Sequence, residues 1–132
     1  MIVSAHGISV DLHAASFALP FDDGEFGTGA TGRMPPGGAF LTITEYRPRK
    51  GLVPGRGLFA PHAIPLPIPR ARFRPNQLLV ARRGQRGYQH FFTESGRPFC
   101  LYAVIHEPRL GAARADVGVV NDVLKSLSIE RR

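Results

Sequence analysis

The chain of 132 residues has no tryptophan and only one cysteine, Cys100. A single cysteine cannot form a disulfide within the chain, and it cannot supply a zinc site made of several cysteine ligands. The sequence has no run of about 18 apolar residues, the minimum length for a membrane-spanning helix. We therefore expect no disulfide framework, no cysteine zinc finger and no membrane association.

The first twelve residues lack both the basic start and the long apolar stretch of a secretory signal. The interpretation from this segment is a cytoplasmic protein.

Composition is typical of a folded domain, with 43% hydrophobic and 20% charged residues. A chain of this length forms one hydrophobic core, so residues 1–132 are interpreted as a single domain. Glycine and proline together make up about a fifth of the chain (Gly 15, Pro 12). This share predicts that loops occupy an unusually large part of the fold.

Charge is divided unevenly, although the formal net charge is +7. Residues 1–46 carry five acidic side chains and one basic one, whereas residues 47–97 carry eleven basic side chains and one acidic one. Such asymmetry indicates either an anionic partner or neutralisation within the fold or across a homodimer. Asp22, Asp23 and Glu25 form the densest acidic cluster for such neutralisation.

The first half of the chain contains two clear strand patterns. Residues 8–12 alternate apolar and polar side chains, and residues 39–46 are rich in β-branched and aromatic side chains. Residues 13–19 are compatible with a further strand. Residues 21–38 hold many glycines and two prolines, so a long loop is predicted there.

Seven prolines punctuate residues 47–75, which predicts an extended, Pro/Arg-rich segment. Within it Ile64, Leu66 and Ile68 alternate with prolines and form an apolar strip that can lie along a sheet edge. Residues 76–83 are compatible with either a short strand or one helical turn.

The second half predicts a β-hairpin and a terminal helix. Residues 87–105 contain two β-rich runs around a Ser-Gly turn. Apolar residues then recur with helical spacing, which predicts a helix of about 15 residues over 112–127. They are Ala113, Val117, Val120, Leu124 and Leu127. The predicted fold class is α+β, a single antiparallel sheet of about five strands with the C-terminal helix packed on one face. Because both faces of this sheet are apolar, the Pro-rich segment, a short helix or a second subunit must cover the other face.

The order of these elements resembles the PsbP-like family. The resemblance rests on ISVDL near the start, the hairpin ending in PFCLYAVI and the final NDVLKSLSI. This family includes photosystem accessory proteins, Mog-type Ran-binding proteins and bacterial secretion chaperones. The resemblance implies an α/β sandwich used as a binding or accessory domain, with no catalytic residues shared by the family.

Neither the glycine spacing nor the histidines of this chain predict a ligand site. Residues 27–32 match the glycine spacing G-x-G-x-x-G, but Arg33, Met34 and two prolines follow, so no helix can begin there to face a pyrophosphate. The five histidines lack the close spacing of metal ligands, so we expect no metal and no cofactor. They are His6, His13, His62, His90 and His106.

One pair on the hairpin, Cys100 and His90, has the residue types of a nucleophile and its base. A two-residue Ser95-Gly96 turn would place Phe91 opposite Cys100 and send His90 to the other face. A three-residue turn that includes Glu94 would instead pair His90 with Cys100. A buried, inert thiol is the usual state of such a residue in an apolar strand.

The candidate binding residues form an arginine-rich segment with one aromatic side chain. If the segment is extended, its first three arginines project to one side at about 7 Å intervals, similar to phosphates along a single strand. An adjacent phenylalanine could stack on a base. The set is Arg70, Arg72, Phe73, Arg74, Arg82, Arg83 and Arg86.

Since no convergent catalytic set is visible, the leading hypothesis is a non-enzymatic accessory or protein-partner-binding domain. The alternative is a nucleic-acid or anion binder that uses the arginine-rich segment. An enzyme whose site is assembled from residues distant in the sequence is the third hypothesis.

Overall fold

The computed structural model describes residues 2–12, 34, 36–47, 53–108 and 114–131, together with the backbone of 21–22. These residues form seven strands and one α-helix. In chain order they are β1 (Ile2–Ala5), β2 (Ile8–Asp11), β3 (Phe21–Asp22), β4 (Ala39–Glu45), β5 (Gln85–Glu94), β6 (Arg97–His106), α1 (Val117–Lys125) and β7 (Ser128–Ile129). The protein therefore has a mixed α and β fold, as predicted.

The strands form two separate sheets, so the prediction of a single sheet of about five strands is wrong. One sheet has the order β1-β2-β7 and is antiparallel throughout. The other has the order β3-β4-β6-β5, in which only the short β3 runs parallel to its neighbour. There are two sheets because β2 pairs with β1 on one side and with β7 on the other, and not with the strands of the larger sheet.

The predicted hairpin is confirmed as the centre of the larger sheet. β5 and β6 pair over ten positions each, from Gln85 opposite His106 to Glu94 opposite Arg97. Ser95 and Gly96 connect them with φ of 53° and 73°. Positive φ at both central positions characterises the two-residue type I′ turn, whose twist matches that of the paired strands.

The predicted strand over 39–46 is also confirmed, as β4. All seven of its residues pair with β6, from Ala39 opposite Ile105 to Glu45 opposite Phe99. The predicted loop over 21–38 is wrong at its start, because Phe21–Asp22 pairs with β4 as β3. The predicted strand over 13–19, the glycine motif over 27–32 and most of that loop lie outside the described residues.

The smaller sheet contains the predicted strand over 8–12, which is β2. It forms a hairpin with β1 through His6 and Gly7, whose φ values are 53° and 75°. On its other side Ile8 lies opposite Ile129 of β7. Glu130 donates from its backbone nitrogen to the carbonyl of Gly7 at 2.8 Å, which holds the chain end against this turn.

The terminal helix is present but shorter than predicted, with nine residues in place of about 15. Asp116 is its N-cap, and its side chain accepts a hydrogen bond from the Val119 nitrogen at 3.1 Å. This cap fixes the start of α1, because a capping residue has a non-helical backbone. The predicted apolar stripe is buried at Val117, Val120 and Leu124.

The Pro-rich segment is less extended than predicted. Within the described part, 3₁₀ turns form at Gly57–Phe59, Arg70–Arg72 and Pro75–Gln77. For residues 76–83 the sequence allows a short strand or one helical turn; the 3₁₀ turn includes only Asn76 and Gln77, and residues 78–83 form neither a strand nor a helix. The apolar strip nevertheless packs against the core, with Ile68 1% exposed.

Asn121 of α1 joins the helix to this strip. Its side chain accepts from the Ile68 nitrogen at 2.7 Å and donates to the Ile68 carbonyl at 2.9 Å. A second hydrogen of the same amide reaches the Val117 carbonyl at 3.0 Å. Because prolines flank Ile68 and have no N–H, one buried amide side chain anchors this part of the strip.

The core lies between the larger sheet on one side and β2, α1 and the Pro-rich strip on the other. Its central side chains include Phe92, Phe99 and Leu101, none of which is exposed. The opposite face of the larger sheet carries a smaller cluster of Phe40, Tyr102 and Val104. No helix among the described residues is long and apolar enough to cross a membrane.

Candidate partner-binding surface

The structure separates the predicted arginine-rich set into three groups. Arg70 and Arg86 are half-buried and pair with a carboxylate, Phe73 is in the core, and the remaining four arginines are exposed. Those four are Arg72, Arg74, Arg82 and Arg83. The predicted spacing of guanidinium groups along an extended strand is wrong, because Arg70–Arg72 forms a 3₁₀ turn.

Phe73 is unavailable for base stacking. It is 1% exposed, and its ring centroid lies 6.1 Å from that of Tyr88. Its neighbour Arg74 pairs through its backbone with Gly87, at 2.8 and 2.9 Å, so the segment is held against the edge of β5. The aromatic part of the predicted nucleic-acid contact therefore belongs to the core.

Glu107, which follows β6, binds two of the predicted arginines. Its Oε2 accepts from Arg70 Nη1 at 2.6 Å and from the Ala115 nitrogen at 2.9 Å, while its Oε1 accepts from Arg86 Nη2. Burial of this carboxyl raises its pKa, but hydrogen bonds from Arg70, Ala115 and Arg86 outweigh that effect, so its pKa is lower than usual. This carboxylate ties the Pro-rich segment, β5 and the approach to α1 together.

Replacement of Glu107 by glutamine is expected to lower the free energy of unfolding by about 1–2 kcal/mol at pH 7, since charge-assisted hydrogen bonds are lost. A lowered pKa stabilises the fold above the unfolded value of 4.5, and this contribution disappears as pH falls through the folded value. The difference in free energy of unfolding between wild type and E107Q, measured by urea denaturation, should therefore decrease as pH is lowered. Glu94→Gln is the control, because burial raises the pKa of Glu94 and its loss should not destabilise at pH 7. A gap that stays constant with pH would contradict this account.

A short exposed segment, residues 79–83, combines apolar and basic side chains. Leu79 and Val80 are 48% and 55% exposed, and Ala81, Arg82 and Arg83 are also exposed. We name this segment the 79–83 surface. Within the described part of the chain, neither Arg82 nor Arg83 forms an ion pair with a carboxylate.

The backbone that carries this surface is anchored on the larger sheet. The Leu79 nitrogen donates to the Tyr102 hydroxyl at 2.9 Å, and Leu78 packs against the cluster of Phe40, Tyr102 and Val104. A Cβ atom on Gly87 would lie 2.9 Å from Leu78 Cδ2, so glycine permits this close approach. Burial raises the pKa of Tyr102, and the Leu79 nitrogen and Arg82 oppose that rise. The start of the 79–83 surface is thus held on the larger sheet.

Sequence reasoning found the arginines of this surface but missed its apolar part. Leu78, Leu79 and Val80 form a short apolar run, which is compatible with a buried strand as well as with an exposed patch. Only the fold shows that Leu78 points into a cluster while its two neighbours stay exposed. Glu107 was also missed, because its partners lie 21 and 37 positions away in the sequence.

The structure has the two-residue turn, so Cys100 and His90 do not face each other. Phe91 lies opposite Cys100, and His90 Nε2 lies 2.9 Å from the Ala63 carbonyl oxygen on the other face. Cys100 is 6% exposed, and burial raises the pKa of its thiol to about 12, against a smaller lowering by the His90 backbone. A thiol in this state is a poor nucleophile at neutral pH.

Among the described residues, no group of three or more His, Cys, Asp or Glu side chains comes together as a candidate metal site. His13 lies outside that part of the chain.

No family model, no curated protein and no solved structure matches this chain. The PsbP-like resemblance therefore stays a prediction.

Proposed function

We propose that this protein is a non-enzymatic accessory domain that binds a protein partner through the 79–83 surface. The observation that carries the proposal is the exposure of Leu79 and Val80 beside two arginines that pair with no described carboxylate. Exposed apolar side chains that lie next to one another and are bordered by polar ones mark protein interaction sites, whereas single ones scattered over a surface are ordinary. Arginine is enriched at such sites because its guanidinium group recognises carboxylates.

Charge indicates the chemistry of the partner. The 79–83 surface belongs to the segment 47–97, which carries eleven basic side chains and one acidic one. We propose an acidic protein segment with one or two apolar side chains, which would cover Leu79 and Val80 while its carboxylates pair with Arg82 and Arg83. A cytoplasmic location and a homodimer remain further predictions from the sequence.

Nucleic-acid or anion binding is the second candidate, and the exposed Arg72, Arg74, Arg82 and Arg83 favour it. Three features favour the protein partner over it. Phe73 is buried and cannot stack on a base, and Arg70 and Arg86 already bind Glu107. A groove that binds a single nucleic-acid strand is formed by basic and aromatic side chains, so exposed aliphatic side chains such as Leu79 and Val80 are not expected in it.

Two double variants separate the hypotheses when the tagged protein is purified from its native host. L79S/V80S removes the apolar side chains and keeps both charges, whereas R82Q/R83Q removes the charges and keeps the apolar pair. If the partner is a protein, we expect a protein to co-purify even after nuclease treatment. Either variant should lower the amount of this protein at least about tenfold. Arg56→Gln, which removes an exposed arginine elsewhere, should leave it unchanged.

The nucleic-acid candidate predicts a different outcome. L79S/V80S would then bind a single-stranded oligonucleotide as wild type does, R82Q/R83Q would bind it less, and affinity would fall steeply with salt. That pattern, with no nuclease-resistant protein partner, would contradict the proposed function.

A further inference from the structure

A shallow cavity of about 320 Å³, widely open to solvent, lies beside the turn between β1 and β2. His6, Gly7, Arg97, Glu130 and Arg131 line it. It lies where that turn meets the start of β6 and the residues that follow β7, and none of its lining residues belongs to the 79–83 surface. Its volume is at the lower end of the range for small-molecule sites.

Arg97 is a buried, positively charged residue in the wall of this cavity. The residue is 4% exposed, and its guanidinium group donates twice to Glu45, at 2.8 and 3.1 Å. Two more of its hydrogens reach the carbonyl oxygens of His6 at 2.8 Å and Glu130 at 2.9 Å. A guanidinium group has five N–H donors. The fifth, on Nη1, has no acceptor among the described residues.

Gly7 keeps this nitrogen close to the open space. A Cβ atom at Gly7 would lie 3.1 Å from Arg97 Nη1, so a side chain there would press on the guanidinium group. The donor is also held rigidly, since four fixed acceptors surround the same group. A preorganised donor loses little entropy when it binds a ligand.

His6 occupies the first central position of the turn between β1 and β2. Both central residues of a type I′ turn have positive φ, which favours asparagine, aspartate or glycine. This chain has a histidine there at φ 53°, and this residue is part of the cavity lining. The exposed Arg131 is a second arginine in the lining.

We propose that this cavity binds a small oxyanion, a carboxylate or phosphate group, free or at the end of a small molecule. Arg97 Nη1, the His6 imidazole and the Arg131 guanidinium group are the donors. Glu130 is the acidic side chain in the lining, and its charge opposes an anion. Replacement of Glu130 by glutamine should therefore strengthen binding, whereas the loss of either flanking donor should weaken it.

The probes are inorganic phosphate and acetate, each titrated into the full chain against sodium chloride at equal ionic strength. Chemical-shift changes are recorded for the His6 and Gly7 amides and for the Nε–H groups of Arg97 and Arg131. We expect saturable changes at these groups with at least one probe and none with chloride alone. Saturation with phosphate but not acetate assigns a phosphate ligand, and the reverse assigns a carboxylate.

His6→Asn and Arg131→Gln test the donors. Each should raise the dissociation constant about tenfold, as expected for a lost hydrogen bond to a charged group. H6N should melt at or above the wild-type temperature, since asparagine suits a positive φ better, so weaker binding cannot be ascribed to unfolding. Lys125→Gln, which removes an exposed charge on α1, is the control. Unchanged affinity in both donor variants, or shifts that chloride reproduces, would overturn the proposal.

Discussion

Replacement of Arg97 by methionine is expected to lower the free energy of unfolding by about 3–5 kcal/mol, the range seen when one partner of a buried ion pair is removed. The Arg97 side chain is 4% exposed and that of its partner Glu45 is 16% exposed, so water screens this pair weakly. Its guanidinium carbon also lies 5.3 Å from the centre of the Phe99 ring, an additional favourable contact.

The expected loss is large because Arg97 joins three parts of the chain. Its hydrogen bonds reach β4 through Glu45, the first hairpin through the His6 carbonyl and the C-terminal residues through the Glu130 carbonyl. Methionine keeps an unbranched apolar chain but has no donors, so buried acceptors lose their hydrogen bonds from Arg97. The two sheets are therefore connected by this one side chain as well as by the apolar core.

Urea denaturation of R97M measures this loss, with Arg56→Met as the matched control at an exposed arginine. The control should change stability by no more than about 0.5 kcal/mol, as is usual for surface substitutions. Glu45→Gln combined with R97M should be less destabilised than R97M alone, since the largely buried negative charge opposite position 97 is then removed as well. Equal stability of R97M and wild type would show that the sheets are held together without this ion pair.

Replacement of Asn121 by leucine is expected to lower the free energy of unfolding by about 3 kcal/mol. Leucine fits a similar volume, but the Ile68 nitrogen and carbonyl oxygen would lose their partner in a buried environment. An unsatisfied buried group costs about 1–3 kcal/mol. Asn121 is 6% exposed and Ile68 is 1% exposed, so water cannot readily replace the lost bonds.

Asp122→Leu provides the matched control, because it introduces the same side chain one position along, on the exposed side of α1. Amide hydrogen exchange gives a local readout beside urea denaturation. In wild type the Ile68 amide should be protected, and in N121L it should exchange faster than amides of the β5–β6 hairpin. An equal loss of free energy of unfolding in N121L and D122L would mean that a leucine in the helix, and not the missing amide, causes the effect.

The elements that could be predicted from the sequence are those with strong local patterns. The hairpin of β5 and β6, the strands β2 and β4 and the stripe on α1 follow from alternation, helical spacing and a Ser-Gly turn. The division into two sheets could not be predicted, because β7 has only two residues and its Ile129 pairs with Ile8 of β2, 121 positions away. Pairing at that separation depends on the core and leaves no local pattern.

The candidate site was predictable only in part for a similar reason. Counting charges found the arginines but not their partners, since Glu107 binds Arg70 and Arg86 through the fold. Glu45 of the acidic first third does pair with Arg97 of the basic segment, in line with neutralisation within the fold. The side chains of Asp22, Asp23 and Glu25 lie outside the described residues.

The central claim is that the 79–83 surface binds a protein, and cross-linking from its middle tests this most directly. Ala81 is exposed between the apolar pair and the arginines, so a photo-cross-linking amino acid at this position would contact the partner. Ala60, exposed in the Pro-rich segment, is the control position. In native host cells we predict a discrete protein adduct from position 81 that is absent from position 60. The same adducts from both positions, only nucleic-acid adducts, or none from position 81 would contradict the claim.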